Sequence, residues 1–179
     1  MLTTSDLDEL GNFRGLDGRG WICDSCGNII DKATDGWIQW RDFHAESKER
    51  KRLGQHPLCR DLQLVHHAPA SPRRVDHVRY FGCQFNDQDP TYGVKDLPLT
   101  FFLGPDGLMK MLAFIAEEDV ERNEVLEMIK RLFIVGYEHA RLHFSEAISD
   151  GVFEPNTAPG YHSHSDIEAV NVWRENRSE

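Results

Sequence analysis

Residues 21–27 read Trp-Ile-Cys-Asp-Ser-Cys-Gly, the most informative stretch of this 179-residue chain. Two residues separate the thiols of Cys23 and Cys26, and a turn that folds back between them lets both sulfurs bind one tetrahedral metal ion. Gly27 follows directly, and glycine tolerates the backbone conformation in which amide groups approach the sulfurs. The stretch therefore predicts a metal site in the N-terminal part of the chain.

The same seven residues resemble the zinc knuckle of zinc ribbons and treble clefs. This resemblance implies a structural zinc ion bound by Cys23, Cys26 and two further ligands. No second CxxC and no close CxxH follows in the sequence, so the other two ligands must come from more distant positions.

The two remaining ligands are expected among the cysteines and histidines downstream of the knuckle. We favour His66, which ends a predicted strand, and Cys83, which follows a strand-and-turn pattern at 80–82. His67 could replace His66, since a shift of one residue in a strand turns the neighbouring side chain to the same face. Cys59 is the chief rival, although a free cysteine is commonly just a small buried hydrophobic residue. The predicted ligand set is Cys23, Cys26, His66 and Cys83.

A second interpretation starts from residues 64–69, which read Leu-Val-His-His-Ala-Pro. They resemble the strand of an HNH nuclease, in which one residue of an adjacent pair binds a catalytic metal and the next histidine activates water. The resemblance implies that His66 and His67 serve a magnesium- or manganese-dependent nuclease. The downstream asparagine and histidine of that family have no match, because Asn86 is followed by no histidine until His139.

A third group of candidate ligands lies near the C-terminal end of the chain. His139, His143 and Glu146 fall on one face of a predicted helix, and that spacing can bind a metal. Histidine pairs on amphipathic helices are mostly surface or boundary residues, so we favour such positions over a metal site.

Composition and charge limit the classes of function. The chain carries 30 acidic and 20 basic side chains, and a net charge of -10 argues against a general nucleic-acid binder. The segment 41–79 differs, because it carries nine basic and five acidic residues, so nucleic acid could bind only through this segment. No P-loop, GxGxxG, GxSxG or HExxH motif occurs, and an enzyme is therefore not favoured.

The start of the chain suggests a cellular location. Residues 1–10 have neither a positive region nor an apolar region of the kind that secretory signals carry. No apolar run approaches the roughly 18 residues of a membrane span. We therefore expect a soluble, cytoplasmic protein without membrane contact, whose four cysteines are metal ligands or buried thiols rather than disulfides.

The first half of the chain shows short extended patterns. Strands are predicted at 28–30, 36–40 and 62–66, with residues 35–36 as the turn of a hairpin between the first two. The second of these strands is apolar on both faces, so we expect it to be covered on both sides. The charged stretch 46–54 predicts a loop or a short surface helix.

The second half has helical periodicity. Apolar residues recur at helical spacing over 107–116, 125–132 and 137–147, and Gly151 is placed to end the third helix. A capping box at 165–168 predicts the start of a last helix.

These patterns together predict an α+β fold. A small, zinc-stabilised antiparallel β half at 1–90, of zinc-ribbon or treble-clef-like form, precedes a helical half at 98–179. The break falls at 91–98, and the two halves are expected to pack as one globular unit. Because a zinc ion with four protein ligands has no open position, we predict a non-enzymatic, zinc-stabilised protein that binds another protein or acts as an adaptor.

Overall fold

Two short strands flank the Cys-x-x-Cys turn. In the computed structural model, β1 (Trp21–Ile22) pairs antiparallel with β2 (Ile29–Ile30). Trp21 lies opposite Ile30 in this register, and both side chains are buried. The hairpin is therefore attached to the hydrophobic core by its first and last residues. The structure describes residues 12–73, 82–85, 88–155, 158 and 160–177.

A second, three-stranded sheet is built around β3 (Gly36–Phe43). The surface helix α1 (His44–Arg52) leads from β3 to β4 (Arg60–His66), and β5 (Tyr92–Pro98) forms the other edge. Both outer strands run antiparallel to β3. The predicted break at 91–98 thus coincides with β5, an edge strand of this sheet.

Both faces of β3 are covered. Ile38 and Gln39 are adjacent, so they point to opposite faces, and both are fully buried. The Gln39 amide donates to Oε1 of Gln63 at 3.2 Å, and its oxygen accepts the backbone N–H of Phe85 at 2.8 Å. The buried amide thus has the hydrogen-bond partners that its burial requires. The expectation of a strand covered on both sides is confirmed.

Helices make up the remainder of the described chain. They are α2 (Gly104–Ala116), α3 (Arg122–Phe133), α4 (Tyr137–Ala140), α5 (Phe144–Ser149) and α6 (His164–Arg177). The described part is thus α+β, with two small antiparallel sheets and six α-helices. None of the described helices has the length and apolar character needed to cross a membrane.

One hydrophobic core joins the sheets to α2 and α3. Its buried members include Trp21, Ile38, Leu64, Phe102, Met111, Val125, Met128 and Leu132. A smaller cluster holds α4, α5 and α6 together through Tyr137, Ala140, Phe144, Ala147, Ile167 and Val170. Fully burying one such large apolar side chain stabilises a fold by roughly 1.5–3 kcal/mol. The main core contains residues from both predicted halves, so its burial stabilises both together.

The predicted hairpin between 28–30 and 36–40 is wrong. β2 pairs with β1, whereas β3 pairs with β4 and β5. A 3-10 turn at Ala33–Asp35 lies where the tight turn was expected and carries the chain from one sheet to the other. The physical reason is length, because β3 has eight residues and finds longer ladders in β4 and β5 than the two residues of β2 offer.

The predicted helix at 137–147 is two helices. α4 ends at Ala140, and His143 has φ -121° and ψ -1°, which lies outside the helical region. The break lets the Phe144 ring stack on His162 with centroids 3.6 Å apart while its centroid remains 5.8 Å from that of Tyr137. Aromatic packing therefore offsets the lost helical hydrogen bonds.

The capping box of α6 lies two residues before the predicted one at 165–168. The backbone N–H of Asp166 donates to Oγ of Ser163 at 3.2 Å, and the N–H of Ser163 donates to Oδ2 of Asp166 at 2.8 Å. This reciprocal pair satisfies two backbone donors that a helix start leaves without intrahelical partners.

Candidate metal centre

The Cys-x-x-Cys turn is held in shape by its own backbone. The N–H of Gly27 donates to the carbonyl of Cys23, and the N–H of Cys23 donates to the carbonyl of Asn28, both at 2.9 Å. Gly27 has a φ of +75°, in the left-handed region that residues other than glycine enter at a cost. These bonds bring the two cysteines to the same side of the turn.

Asp24 attaches this turn to the end of β4. Its N–H donates to the carbonyl of Leu64 at 2.9 Å, and its carboxylate accepts the N–H of Leu64 at 2.7 Å. Since His66 lies two residues further along β4, the bonds fix the distance between the knuckle and the imidazole ring.

Four potential ligand atoms converge beside the turn. The sulfurs of three cysteines and a ring nitrogen of one histidine all lie within 4.8 Å of one another. Cys23, His66 and Cys83 are buried, and Cys26 is partly exposed. The arrangement is compatible with a metal site. Its members are Cys23, Cys26, His66 and Cys83, the residues that the sequence predicts as ligands.

The ring orientation of His66 suits metal binding. Its Nε2 lies 3.1 Å from the carbonyl oxygen of Ile29, which can only accept, so the Nε2 proton points there. The neutral ring then keeps a lone pair on Nδ1, which lies 3.5 Å from the sulfur of Cys26 and 3.9 Å from that of Cys83. A backbone carbonyl that fixes the tautomer in this way is a common second contact of a metal-binding histidine.

Cys83 reaches the cluster from the described segment 82–85. Its sulfur also lies 3.1 Å from Oγ of Ser71, and the N–H of Phe85 bonds to Gln39 of β3. The predicted strand-and-turn pattern at 80–82 falls largely on residues 80 and 81, which lie outside the described residues.

Burial changes the protonation of the cysteine at the centre of the turn. It raises the pKa of the Cys23 thiol to about 12, although backbone N–H groups of His66 and of the turn act in the opposite direction. A sulfur in this environment stays protonated at neutral pH unless a cation stabilises the thiolate. The raised pKa therefore argues against a reactive thiolate at Cys23.

The two rival ligands lie elsewhere. Cys59 is buried, and its sulfur accepts a hydrogen bond from Nζ of Lys95 at 3.4 Å; burial raises its pKa. The ring of His67 stacks on Trp37, with centroids 4.9 Å apart. Neither residue belongs to the Cys-His cluster.

The predicted face of His139, His143 and Glu146 does not form. His139 is buried in α4, with Nε2 3.2 Å from the carbonyl oxygen of Gly20, whereas His143 lies in the turn before α5. Burial lowers the pKa of His139, so the ring is neutral and donates to that carbonyl. Among the described residues these three form no metal cluster.

The helical part contributes a buried ionic network that sequence reasoning missed. The guanidinium of Arg131, on α3, binds both carboxylate oxygens of Glu138 at 2.7 and 2.9 Å and Oδ2 of Asp24 at 2.7 Å. It also donates to the carbonyl of Ile22 at 3.0 Å, while the N–H of Ile22 donates to Glu138 at 2.9 Å. Arg131 therefore links α3 and α4 directly to the Cys-x-x-Cys turn.

The charges of this network are mutually stabilised. Burial alone would lower the pKa of Arg131 and raise that of Glu138. The hydrogen bonds and charge attraction within the network outweigh burial, so the pKa of Arg131 is raised and that of Glu138 is lowered. A sequence signal existed, because Arg131 lies three positions after Met128 and therefore falls on the buried side of α3. An arginine in such a position needs a buried partner.

Comparisons of the chain with protein-family models, with curated proteins and with solved structures find no match.

Proposed function

We propose that Cys23, Cys26, His66 and Cys83 bind one structural zinc ion. The observation that carries this proposal is the convergence of the four donor atoms within 4.8 Å of one another. Three thiolates and one imidazole are a donor set that suits zinc, and hard cations such as magnesium prefer oxygen ligands. When bound, the zinc would lower the pKa of the thiols and hold the turn, β4 and the segment 82–85 together.

Four protein ligands would fill a tetrahedral site. A catalytic zinc needs a position for water or substrate, and such sites usually have three protein ligands. The buried surroundings of Cys23 and His66 also oppose entry of a substrate. The zinc would therefore stabilise the fold and take no part in a reaction.

A zinc-ribbon or treble-clef-like arrangement is part of the same proposal. Its support is the β1–β2 hairpin, which carries the knuckle, and the second ligand pair, which comes from the end of β4 and from a distant segment. A zinc-stabilised part at 1–90 and a helical part at 98–179 would fold as one unit. A cytoplasmic location would keep the thiols reduced.

The function that this site supports best is binding of another protein by a non-enzymatic, zinc-stabilised protein or adaptor. Its support is the closed character of the ligand set. The test is affinity purification from the native host with the zinc-loaded chain as bait, beside Cys26→Ser as a matched bait without a complete site. We expect a partner that the zinc-loaded chain retains and Cys26→Ser does not. No retained protein, or equal retention by both baits, would contradict the proposal.

A metal-dependent nuclease is the second candidate. The observation that favours it is the position of Arg73, whose guanidinium donates to the carbonyl of Ser25 in the knuckle, so a basic group lies near His66 and His67. His67 would have to activate water, since His66 faces the sulfurs. Cleavage of DNA or RNA with magnesium or manganese, lost in His67→Ala, would replace the binding function with this one.

A further inference from the structure

The helical part of the chain holds the two residues on either side of Cys23. The carbonyl of Ile22 accepts a hydrogen bond from Nη2 of Arg131 at 3.0 Å, and the N–H of Ile22 donates to Oε1 of Glu138 at 2.9 Å. On the other side of Cys23, Oδ2 of Asp24 accepts a hydrogen bond from Nη1 of Arg131 at 2.7 Å. The backbone on both sides of a proposed ligand is therefore held by charged groups of the helices.

One guanidinium makes most of these contacts. Nε and Nη2 of Arg131 bind the carboxylate of Glu138. Nη1 binds Asp24, and Nη2 also binds the carbonyl of Ile22. Because a guanidinium is planar and donates its hydrogen bonds in fixed directions, these contacts fix the Ile22 carbonyl and the Asp24 carboxylate relative to each other. The Arg131 side chain is 4% exposed, so salt in the solvent weakens these contacts little.

The carboxylate of Asp24 also connects the turn to the strand that carries His66. Its Oδ2 accepts the N–H of Leu64 at 2.7 Å, beside the bond from Arg131. Its other oxygen accepts a hydrogen bond from Arg141 at 3.3 Å. His66 lies two residues after Leu64 on β4. The two arginines thus orient the carboxylate that sets the spacing between the cysteines of the turn and the imidazole ring.

We infer that Arg131 is a positioning residue, which raises the zinc affinity of the Cys-His cluster through its bonds to Asp24 and Ile22. The inference rests on the proposed zinc site. Ligands that are already held in place lose less conformational freedom when a metal binds, so a preformed site binds the metal more tightly. Side chains that orient metal ligands commonly contribute about 10- to 100-fold to metal affinity.

The coupling between the network and the zinc acts in both directions. If Arg131 raises the zinc affinity by some factor, a bound zinc strengthens the attachment of α3 and α4 to the turn by the same factor. None of the four clustered cysteine and histidine residues lies on a helix. The helical part would therefore determine how readily the site fills at a given zinc concentration, without contributing a ligand.

Competition between the full chain and a fluorescent zinc chelator, in a reducing buffer, measures the zinc dissociation constant. We expect Arg131→Met to raise this constant about tenfold. Asp24→Asn should also raise it, because the amide oxygen can still accept the Leu64 N–H but has no charge to attract Arg131. The effect of Asp24→Asn should be smaller in Arg131→Met than in the wild type, since both substitutions remove the same contact.

Met128→Ala is the matched control for stability. Met128 is buried on α3, three positions before Arg131, so its truncation destabilises the same helix without removing a bond of the network. The zinc dissociation constant of Met128→Ala should stay within about twofold of the wild-type value. At saturating cobalt(II), every variant should show the visible absorption of a tetrahedral thiolate site, as expected if the same ligands still bind.

Equal zinc dissociation constants in the wild type, Arg131→Met and Asp24→Asn would overturn the inference. An equal rise in Met128→Ala would also overturn it, because the loss of stability alone would then explain the loss of affinity. In both cases the wild type still binds zinc, so the zinc proposal stands. A wild type that binds neither zinc nor cobalt would overturn the zinc proposal and this inference together.

Discussion

His66 and His67 are neighbours with different surroundings. The Nε2–H group of His66 donates to the carbonyl oxygen of Ile29, and the other ring nitrogen faces the sulfurs. His67 instead stacks on Trp37. Substitutions of these two neighbouring histidines can therefore be compared directly, because only the His66 ring faces the cysteine sulfurs and the His67 ring packs on Trp37.

We expect His66→Ala to lose most of its zinc and His67→Ala to retain it. The reason is that, of these two rings, His66 alone places a nitrogen within reach of the cysteine cluster. Elemental mass spectrometry of the two purified variants, together with their thermal unfolding, measures the difference. Equal zinc content in both variants would show that the imidazole is not a ligand.

His139 gives stability a dependence on pH. Burial lowers its pKa in the folded chain, so below about pH 6.5 the unfolded chain binds the proton more readily. The free energy of unfolding should therefore fall with decreasing pH, until His139 is protonated in the folded chain as well. His139→Asn should make this slope shallower by up to one proton, or about 1.4 kcal/mol per pH unit.

Urea unfolding at several pH values between 7 and 5.5 checks this expectation. His164→Asn is the control, because the His164 side chain is 66% exposed at the start of α6. A slope in His139→Asn that equals the slopes of the wild type and the control would contradict it.

The four clustered cysteine and histidine residues follow from local signals, whereas their neighbours do not. The spacing of Cys23 and Cys26 is enough to predict a shared metal, and His66 was expected at the end of a strand. The bonds of Asp24 to Leu64 and Arg131 arise from chain segments far apart in sequence. No local pattern encodes such a contact, so it could not be predicted.

At the scale of elements, buried ion pairs and hydrogen bonds join α3 and α4 to the Cys-x-x-Cys turn and to β1. Arg131 and Glu138 are both buried, and each makes hydrogen bonds to the turn or to β1. Removing one partner of a buried pair leaves the other charge uncompensated. The attachment is therefore sensitive to a single substitution.

Arg131→Met should lower the free energy of unfolding by about 3–5 kcal/mol. The loss comes from the carboxylates of Glu138 and Asp24, which, among the described residues, would keep only the ion pairs with Arg141, at 2.9 and 3.3 Å. Arg122→Met is the matched control, since Arg122 is exposed at the start of the same helix and should change stability by less than about 0.5 kcal/mol. Urea unfolding of both variants gives the comparison, and equal small losses would show that the network contributes little.

Element types were more predictable than element partners. The periodicity at 107–116 and 125–132 matches α2 and α3, because it reflects contacts within one helix and its buried face. The pairing of β3 with β4 and β5 depends on segments separated by many residues. The local pattern instead predicted a hairpin between 28–30 and 36–40, and that prediction is wrong.

At the scale of the whole molecule, one core contains residues from both predicted halves. Trp21, Leu64 and Met128 belong to the same buried cluster, although they come from β1, β4 and α3. A change at the knuckle should therefore reach the helices. This is the physical basis for proposing one cooperative unit.

Removal of zinc with a chelator should destabilise the helices together with the sheet. We expect a lower melting temperature and a single transition, in which circular dichroism of the helices and tryptophan fluorescence coincide. Trp173, on α6, is replaced by Phe in this experiment, so that the fluorescence comes from the tryptophans of the two sheets. Addition of zinc should restore both signals. Two separate transitions, with the helical signal unchanged by the chelator, would show that the parts fold independently.

The metal content of the purified protein tests the central claim most directly. Elemental mass spectrometry should find about one zinc per chain in the wild type and in Cys59→Ser, and almost none in Cys23→Ser. Cys59 is the matched control, because it is equally buried but lies outside the cluster. Absence of metal from the wild type, or equal zinc in the two serine variants, would contradict a structural zinc site at the knuckle.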